Sequence, residues 1–159
     1  MDKLIFLDID GVLDTYASRY QLDPVLMTRL GTLLERTGAK IVVSSSWRAM
    51  DVAGTVEFMT EKDNPSVGEH PFPYTDMVVG ITPILYSIKD GDIDRPATRG
   101  EEIAAYLKDN LCDNYVILDD DRDMLPSQQA HFVPINDEFG LTDTDVEKAI
   151  GILNQTQPK

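Results

Sequence analysis

The stretch KLIFLDIDGVL, residues 3–13, changes abruptly from an apolar run to aspartates and a glycine. Its first part, Lys3–Leu7, is typical of a short strand that is buried on both faces of a parallel sheet. Asp8 and Asp10 follow at a spacing of two, so in an extended chain their carboxylates point the same way. Gly11 then permits a sharp turn of the backbone. The stretch therefore predicts a buried strand whose end carries functional groups.

The same change from apolar to polar residues occurs twice more along the chain. Lys40–Val43 is followed by serines at 44–46, and the apolar residues 115–118 are followed by aspartates at 119–121. Helical stretches separate these runs, and this alternation implies parallel strands joined by right-handed crossovers. Ligands bind outside the carboxyl ends of such strands. We therefore expect an α/β fold, a three-layer Rossmann-like domain around a central, mainly parallel sheet, with the polar residues grouped at one edge.

Capping residues and helical periodicity place the remaining elements. Asp23 followed by Pro24 predicts the start of a helix, and Gly38 predicts its end. We expect one further short strand, over residues 131–135. We also expect three further helices: one over residues 47–60 with Ser46 as its cap, one over 101–107, and one that begins at the capping box of Thr142 and Asp145. A single domain spanning residues 1–154 would then be followed by a frayed tail, 155–159.

The composition excludes several classes of function. The chain has 159 residues, with 14 basic against 28 acidic side chains and a formal net charge of −14. Such an acidic surface repels polyanions, so general binding to nucleic acids or anionic membranes is disfavoured. No apolar run approaches the roughly 18–20 residues of a membrane span, and the aspartates near the start make a poor signal peptide. A lone cysteine, Cys112, excludes an internal disulfide and is typical of a reducing, cytoplasmic compartment.

The aspartates at the strand ends predict a metal site. Asp8 and Asp10 repel each other at this spacing, and a third carboxylate from residues 119–121 increases the repulsion. A divalent cation resolves this conflict, and a site made only of oxygen ligands suits Mg²⁺. The alternative for Asp8 and Asp10 is a role in turns or helix caps, and the alternative for residues 119–121 is a solvated acidic turn.

Three of these stretches resemble, in order, the motifs of the haloacid dehalogenase-like (HAD) superfamily. DIDGV at 8–12 resembles motif I, the serine run resembles motif II, and the acidic residues at 119–123 resemble motif IV. The combination of SSSWR at 44–48, LDDD at 118–121 and GLT at 140–142 is more particularly similar to a small capless subgroup. That subgroup is related to the HAD domain of multi-domain Swiss army knife RNA-repair proteins. The resemblance spans nearly the whole chain and implies an HAD-like fold with no large cap domain.

The resemblance implies roles for the aspartates. Asp8 would attack phosphorus and form an aspartyl-phosphate. Asp10 would protonate the leaving oxygen and then activate water as a general acid and base, and its presence favours phosphoryl chemistry over dehalogenation. The metal would be held by the Asp8 carboxylate, the Asp10 backbone carbonyl and a motif IV aspartate. For that last ligand Asp120 is the first choice and Asp119 the second, while Asp123 would orient water.

The resemblance also implies groups that bind the phosphate. A motif II hydroxyl donates to a phosphate oxygen, and Ser45 fits the strand length best, with Ser44 almost as good. Motif III supplies a cation just before the helix that leads to motif IV. Arg99 occupies that place, whereas Arg95, which precedes a proline, imitates the form seen elsewhere in the superfamily. We prefer Arg99, and Arg48 is a weaker candidate.

Other residues that could carry chemistry have ordinary explanations. Trp47 could line the mouth of the site, but a single tryptophan at such a position more often packs in the core. His70 and His131 have no metal-ligand spacing to a partner, and no histidine motif accompanies Cys112. We expect structural roles for these residues.

The lengths between the motifs bear on the substrate. About a dozen residues separate Asp10 from Asp23, and the segment 61–98 is long enough for a variable loop or small lid but not for a folded cap domain. An open site of this kind admits large phosphates, and the resemblance points to polynucleotide ends. The net charge of −14 disfavours a nucleic-acid partner. The substrate is therefore left open between a nucleotide, a polynucleotide end and a small metabolite. The oligomeric state is also left open.

Together these observations predict an enzyme with a phosphorylated substrate and no membrane partner. The expected activity is that of a Mg²⁺-dependent phosphomonoester phosphatase that acts through an aspartyl-phosphate intermediate. A phosphotransferase or mutase is one alternative, although such enzymes usually need a cap to exclude water. A non-catalytic HAD-like binding module is another, but loss of the motif aspartates would be its signature.

Overall fold

The computed structural model describes residues 1–155 of the chain, so residues 156–159 of the expected frayed tail lie outside the described residues. The first two strands have the bounds that the sequence predicts. The strands are β1 (Lys3–Leu7), β2 (Lys40–Val43), β3 (Val78–Ile81), β4 (Ile88–Asp90), β5 (Ile93–Arg95), β6 (Asn114–Asp119) and β7 (Phe132–Pro134). The helices are α1 (Pro24–Thr37), α2 (Val52–Thr60), α3 (Arg99–Asp109) and α4 (Asp143–Leu153).

The central sheet has five strands within the described residues, in the order β3-β2-β1-β6-β7. Its neighbouring strands are parallel, and Leu7 of β1 lies beside Val43 of β2 and Leu118 of β6. The strands β4 and β5 form a separate antiparallel hairpin. The predicted α/β, Rossmann-like arrangement is confirmed. All carboxyl ends of the central strands consequently lie at one edge of the sheet.

Helices cover both faces of the sheet. Successive strand residues point to opposite faces, so β1, β2 and β6 each contribute side chains to two cores. Ile5 and Leu7 of β1 belong to the larger apolar core, to which α1, α2 and α4 contribute. Leu4 and Phe6 belong to a smaller core on the opposite face, to which α3 contributes Ile103. The central strand is therefore apolar on both faces, and polar residues begin only where it ends.

A buried amide side chain marks the amino end of β6. The Asn114 side chain donates to the Ile152 carbonyl at 2.7 Å, and its Oδ1 accepts from the Tyr115 amide at 2.8 Å. These bonds tie the start of β6 to the last turn of α4. That helix begins at its predicted capping box, in which the Thr142 side chain accepts from the Asp145 amide.

The second helix begins later than the sequence predicts. α2 starts at Val52 rather than near residue 47, because the Asp51 side chain caps it by accepting from the Gly54 amide at 2.7 Å. Ser46, the predicted cap, is exposed and lies outside the helix. The SSSWR stretch is consequently a loop beside the ends of the strands.

The segment 61–98 contains regular structure as well as loop. It supplies β3 at one edge of the sheet and the hairpin of β4 and β5. As expected, no folded cap domain is inserted within residues 1–155. None of the helices in that range is long and apolar enough to cross a membrane.

Candidate active site

The hydrogen-bond ladder of the sheet continues one residue beyond β1 and β2. The Asp8 amide donates to the Leu118 carbonyl at 3.0 Å, and the Ser44 amide donates to the Leu7 carbonyl at 2.8 Å. Asp8 therefore lies level with Ser44 on one side and with Asp119, the last residue of β6, on the other. Since alternate residues share a face, all three side chains lie on the α3 side of the sheet. We call Asp8, Ser44 and Asp119 the edge row.

A tight turn after β1 brings motif I against motif IV. Gly11 has a φ of +80°, a left-handed conformation that favours glycine. A Cβ at this position would overlap the Asp120 carboxylate. The Gly11 amide donates to Asp14 Oδ1 at 2.9 Å, which holds the turn in place. The glycine thereby lets Asp120 approach the edge row.

Three carboxyl groups meet at this turn and form what we call the acid cluster. One oxygen from each of Asp8, Asp119 and Asp120 lies within 4.8 Å of the other two. Asp8 and Asp119 are buried, and Asp120 is half-buried. Asp10 is the fourth predicted metal-binding residue, and its predicted ligand atom is the backbone carbonyl oxygen. Its carboxyl group is not part of the acid cluster.

Burial changes the protonation of the acid cluster. Burial, and then the charge of Asp119, raise the pKa of Asp8 to about 9. Burial also raises the pKa of Asp119 to about 7, although the charge of Arg99 opposes this effect. The cluster thus holds more carboxyl groups than its surroundings can neutralise, and all of its donors are oxygens. Such a donor set fits Mg²⁺, whose charge would stabilise the ionised carboxylates.

The Arg99 guanidinium lies among these carboxyl groups. Its Nε is 3.3 Å from Asp119 Oδ2, and its Nη2 is 4.0 Å from Asp8 Oδ1 and 3.9 Å from Asp121 Oδ2. Its Nη1 donates to the Ser44 carbonyl oxygen. The predicted motif III cation therefore contacts every member of the edge row.

The start of α3 places Arg99 in this position. The Thr98 side chain caps the helix, and the Arg99 amide donates to Asp123 Oδ2 at 3.0 Å. A Cβ at Gly100 would lie 2.8 Å from the Leu125 amide nitrogen, so glycine permits a close approach to the segment after motif IV. Asp123 therefore links motifs III and IV, and its expected role in orienting water stays a prediction.

The two candidate serines have different surroundings. Ser44 is buried beside Asp8, and its hydroxyl has no hydrogen-bond partner within residues 1–155. Ser45 Oγ accepts from the Trp47 amide at 3.2 Å and so stabilises the loop after β2. A buried hydroxyl without a partner is available to a ligand. The geometry favours Ser44, although the strand-length count favours Ser45.

The other two candidate arginines pair with glutamates. Arg95 Nη1 lies 2.7 Å from Glu101 Oε1. Arg48 Nη2 lies 3.1 Å from Glu102 Oε1, and its Nη1 donates to the Thr82 hydroxyl at 2.7 Å. In the described part of the chain, neither guanidinium forms an ion pair with the acid cluster. Arg99 is the arginine that the fold brings to the predicted site.

Sequence reasoning missed two neighbours of Asp10. Trp47 Nε1 donates to Asp10 Oδ1 at 3.0 Å, and nothing in the sequence pattern links these two residues. Asp14 is fully buried, and burial together with the nearby Asp10 carboxyl group raises its pKa to about 7. The spacing of four between two aspartates of the motif I turn was the available signal for Asp14. The predicted core packing of Trp47 is correct, because its ring is buried, but the contact with Asp10 adds to it.

A family model matches most of the chain. The model described as the HAD domain in Swiss Army Knife RNA repair proteins matches residues 4–146. No curated protein and no solved structure matches. The matched range contains the edge row, the acid cluster and Arg99.

Proposed function

Because the chain belongs to the family of HAD domains in Swiss Army Knife RNA repair proteins, we propose that it is a Mg²⁺-dependent phosphomonoester phosphatase. Membership of the HAD family indicates a hydrolase of the phosphatase type. The observation that carries the proposal is the acid cluster around Asp8 with the Arg99 guanidinium 4.0 Å from the same carboxyl group. This arrangement combines groups suited to a cation and groups suited to a phosphate beside one nucleophile.

Asp8 and Asp10 carry the proposed covalent chemistry. An Asp8 oxygen attacks phosphorus, the bond from phosphorus to the leaving oxygen breaks, and Asp10 gives its proton to that oxygen. Water then attacks the aspartyl-phosphate, Asp10 takes a proton from the water, and the bond from Asp8 to phosphorus breaks. The two steps release inorganic phosphate and return both aspartates to their starting states.

Asp8, Asp119 and Asp120, together with the Asp10 backbone carbonyl, are the proposed ligands of Mg²⁺. When bound, Mg²⁺ offsets the charge of the phosphate and of the carboxylate that meets it. The raised pKa of Asp8, about 9, supports this assignment. Without a cation the carboxyl group would be protonated at neutral pH and could not act as a nucleophile.

Ser44 and Arg99 are the proposed ligands of the phosphate oxygens. The Ser44 hydroxyl lies in the edge row beside Asp8 and has no hydrogen-bond partner in the described residues. Arg99 is at the start of α3 and offers several N–H donors in a planar group that matches phosphate oxygens. Ser45 is the less favoured hydroxyl, because it already accepts a hydrogen bond from the Trp47 amide.

Two observations bear on the substrate in opposite directions. The family name supports a polynucleotide end, whereas the net charge of −14 opposes tight binding of a polyanion. Nucleotides and small phosphorylated metabolites are the other proposed classes. The lone Cys112 supports action in a reducing compartment such as the cytoplasm.

The experiment that tests the proposal is phosphate release from a panel of phosphomonoesters with Mg²⁺. The panel contains nucleotides, oligonucleotides with a 5′- or 3′-phosphate, sugar phosphates and an aryl phosphate. We expect turnover that is lost in EDTA and in the Asp8→Asn variant, while the matched variant Asp94→Asn, on the exposed hairpin, retains it. The asparagine variant should fold, because it removes a carboxyl group whose ionisation burial opposes.

Other outcomes favour the alternatives. If no member of the panel releases phosphate but the aspartyl-phosphate forms and passes to an added acceptor, the protein is a phosphotransferase or mutase. If the folded protein binds Mg²⁺ and neither reaction occurs, it is a binding module. Turnover that survives Asp8→Asn would show that Asp8 is not the nucleophile.

A further inference from the structure

The indole of Trp47 contacts the proposed general acid and has no role in the steps above. Its Nε1 donates to Asp10 Oδ1 at 3.0 Å. Trp47 is 6% exposed, whereas the Asp10 side chain is exposed. A buried group thus holds one oxygen of an exposed carboxyl group, whose other neighbour is the buried Asp14 carboxyl group.

Two further contacts restrain Trp47, one at its backbone and one at its ring. The Trp47 amide donates to Ser45 Oγ at 3.2 Å. Its ring packs edge-on against Phe58 of α2, with the ring centroids 5.3 Å apart. Because the tryptophan is restrained at its backbone and at its ring, it defines the position that Asp10 must take to keep the hydrogen bond.

The indole also favours one placement of the Asp10 proton. An indole N–H donates and cannot accept, and the carbonyl oxygen of a protonated carboxyl group accepts better than its hydroxyl oxygen. The contact at Oδ1 therefore favours the proton on Oδ2. A general acid is effective only when its proton lies within hydrogen-bond reach of the leaving oxygen, so a fixed carboxyl orientation favours the transfer.

We infer that Trp47 is a positioning residue for acid catalysis by Asp10, an inference that rests on the proposed phosphatase activity. The competing interpretation is that Asp10 merely satisfies the N–H of a buried tryptophan. The two interpretations differ in how the loss of that N–H depends on the leaving group of the substrate. A stable leaving anion needs little protonation, whereas an alkoxide needs a proton as it leaves.

The test is the Trp47→Phe variant, which keeps an aromatic ring beside Phe58 and lacks the N–H. We expect kcat/KM for glycerol 2-phosphate to fall on the order of tenfold or more, and kcat/KM for 4-nitrophenyl phosphate to stay within about twofold of the wild type. We compare kcat/KM because it includes only the steps up to and including release of the leaving group. The value of kcat also includes hydrolysis of the aspartyl-phosphate, which is the same for both substrates.

Two further variants separate positioning from packing. Phe58→Leu loosens the ring but keeps the N–H, so the loss of kcat/KM with glycerol 2-phosphate should exceed that with 4-nitrophenyl phosphate by a smaller factor than in Trp47→Phe. In an Asp10→Asn background, Trp47→Phe should cause no additional loss with glycerol 2-phosphate, because the tryptophan acts through Asp10. Trp47→Tyr allows the same comparison of substrates if the phenylalanine variant does not fold.

The outcomes distinguish this inference from the proposed function. An equal loss with both substrates in Trp47→Phe, or an additional loss in the Asp10→Asn background, overturns the positioning role and leaves the phosphatase activity standing. A wild-type protein that turns over no phosphomonoester overturns the phosphatase activity, and the positioning role with it.

Discussion

Arg48 and Arg99 lie near the same edge of the sheet, with only 7% and 14% of their side chains exposed, but in contrasting surroundings. Arg48 has one carboxylate partner, Glu102, at 3.1 Å. Its remaining donors bind oxygens, among them the Ser45 carbonyl and the Thr82 hydroxyl. One positive charge is matched by one negative charge, so the pair needs nothing more.

Arg99 instead faces three carboxyl groups, those of Asp8, Asp119 and Asp121, at 3.3 to 4.0 Å. One guanidinium cannot neutralise them, and the raised pKa values of Asp8 and Asp119 reflect the imbalance as well as burial. Since the two guanidinium groups are similarly buried, it is the balance of charge around them that separates a structural ion pair from a site that can accept a cation and an anion together. Four experiments test this difference.

Replacing Arg99 by alanine has the largest expected effect on activity. The change removes the cation that faces Asp8 and the proposed phosphate position, so kcat/KM should fall by about 10²–10³-fold. The measurement is phosphate release from the best substrate of the panel. Arg99→Lys keeps the charge but not the planar set of donors, so it should recover only part of the loss. A loss of less than about tenfold in Arg99→Ala would contradict the assignment.

Replacing Arg48 by alanine should act on stability. The change leaves the buried Glu102 carboxylate without its cation, so the free energy of unfolding should fall by about 3–5 kcal/mol. Denaturant unfolding with and without Mg²⁺ measures this loss, which should be the same in both. The double variant Arg48→Met/Glu102→Leu removes both charges and should recover part of the stability. A single variant as stable as the wild type would show that the pair is not a structural ion pair.

The acid cluster should make the metal-free protein sensitive to pH. The pKa values of Asp8 (about 9) and Asp119 (about 7) lie above their ordinary value of 3.8. The folded protein therefore holds protons that the unfolded chain has released, and stability falls as pH rises from about 4 through these values. In EDTA the melting temperature should be several degrees lower at about pH 8.5 than at about pH 5.5. Adding Mg²⁺ at the higher pH should restore it, and a melting temperature that rises with pH in EDTA would contradict the prediction.

Replacing Arg95 by alanine has the smallest expected effect and is the matched control for Arg99. Its guanidinium pairs with Glu101 rather than with the acid cluster, so kcat/KM should equal that of the wild type. If Arg95→Ala lost as much activity as Arg99→Ala, the cation of motif III would have been assigned to the wrong residue.

Elements whose ends carry their own capping residues could be predicted from the sequence. α1 runs from the predicted cap Asp23 to the left-handed Gly38. α2 could not be placed as well, because Ser46 and Asp51 are both good capping residues and either could begin a helix. The choice depends on how the loop after β2 packs, which is a property of the tertiary structure.

The residues of the candidate site likewise divide into those that the sequence predicts and those that depend on the tertiary structure. Asp8 and Asp119 could be predicted because each directly follows or ends an apolar run, and parallel strands bring such ends together. The choice between Ser44 and Ser45 depends on which face of the sheet each side chain occupies, and this is set by pairing with β1. The bond from Trp47 to Asp10 joins two loops and leaves no periodic pattern in the sequence.

The apolar character of β1 on both faces affects how the strands align during folding. Where one face of a strand is apolar and the other polar, a slip by one residue exposes the apolar set to water, and this penalises misalignment. A slip of β2 against β1 would instead exchange one buried apolar face for the other and bring Ser45 beside Asp8. The apolar residues alone therefore specify the alignment weakly.

The polar side chains at the strand ends supply the missing specificity. Asp8, Ser44 and Asp119 at one edge and Asn114 at the other are buried, and a misaligned strand would bury them against apolar groups at a cost in free energy. The carboxyl groups proposed for chemistry thus also select one alignment of the central strands. Apolar substitutions at these positions should relax the choice among alignments in addition to removing activity.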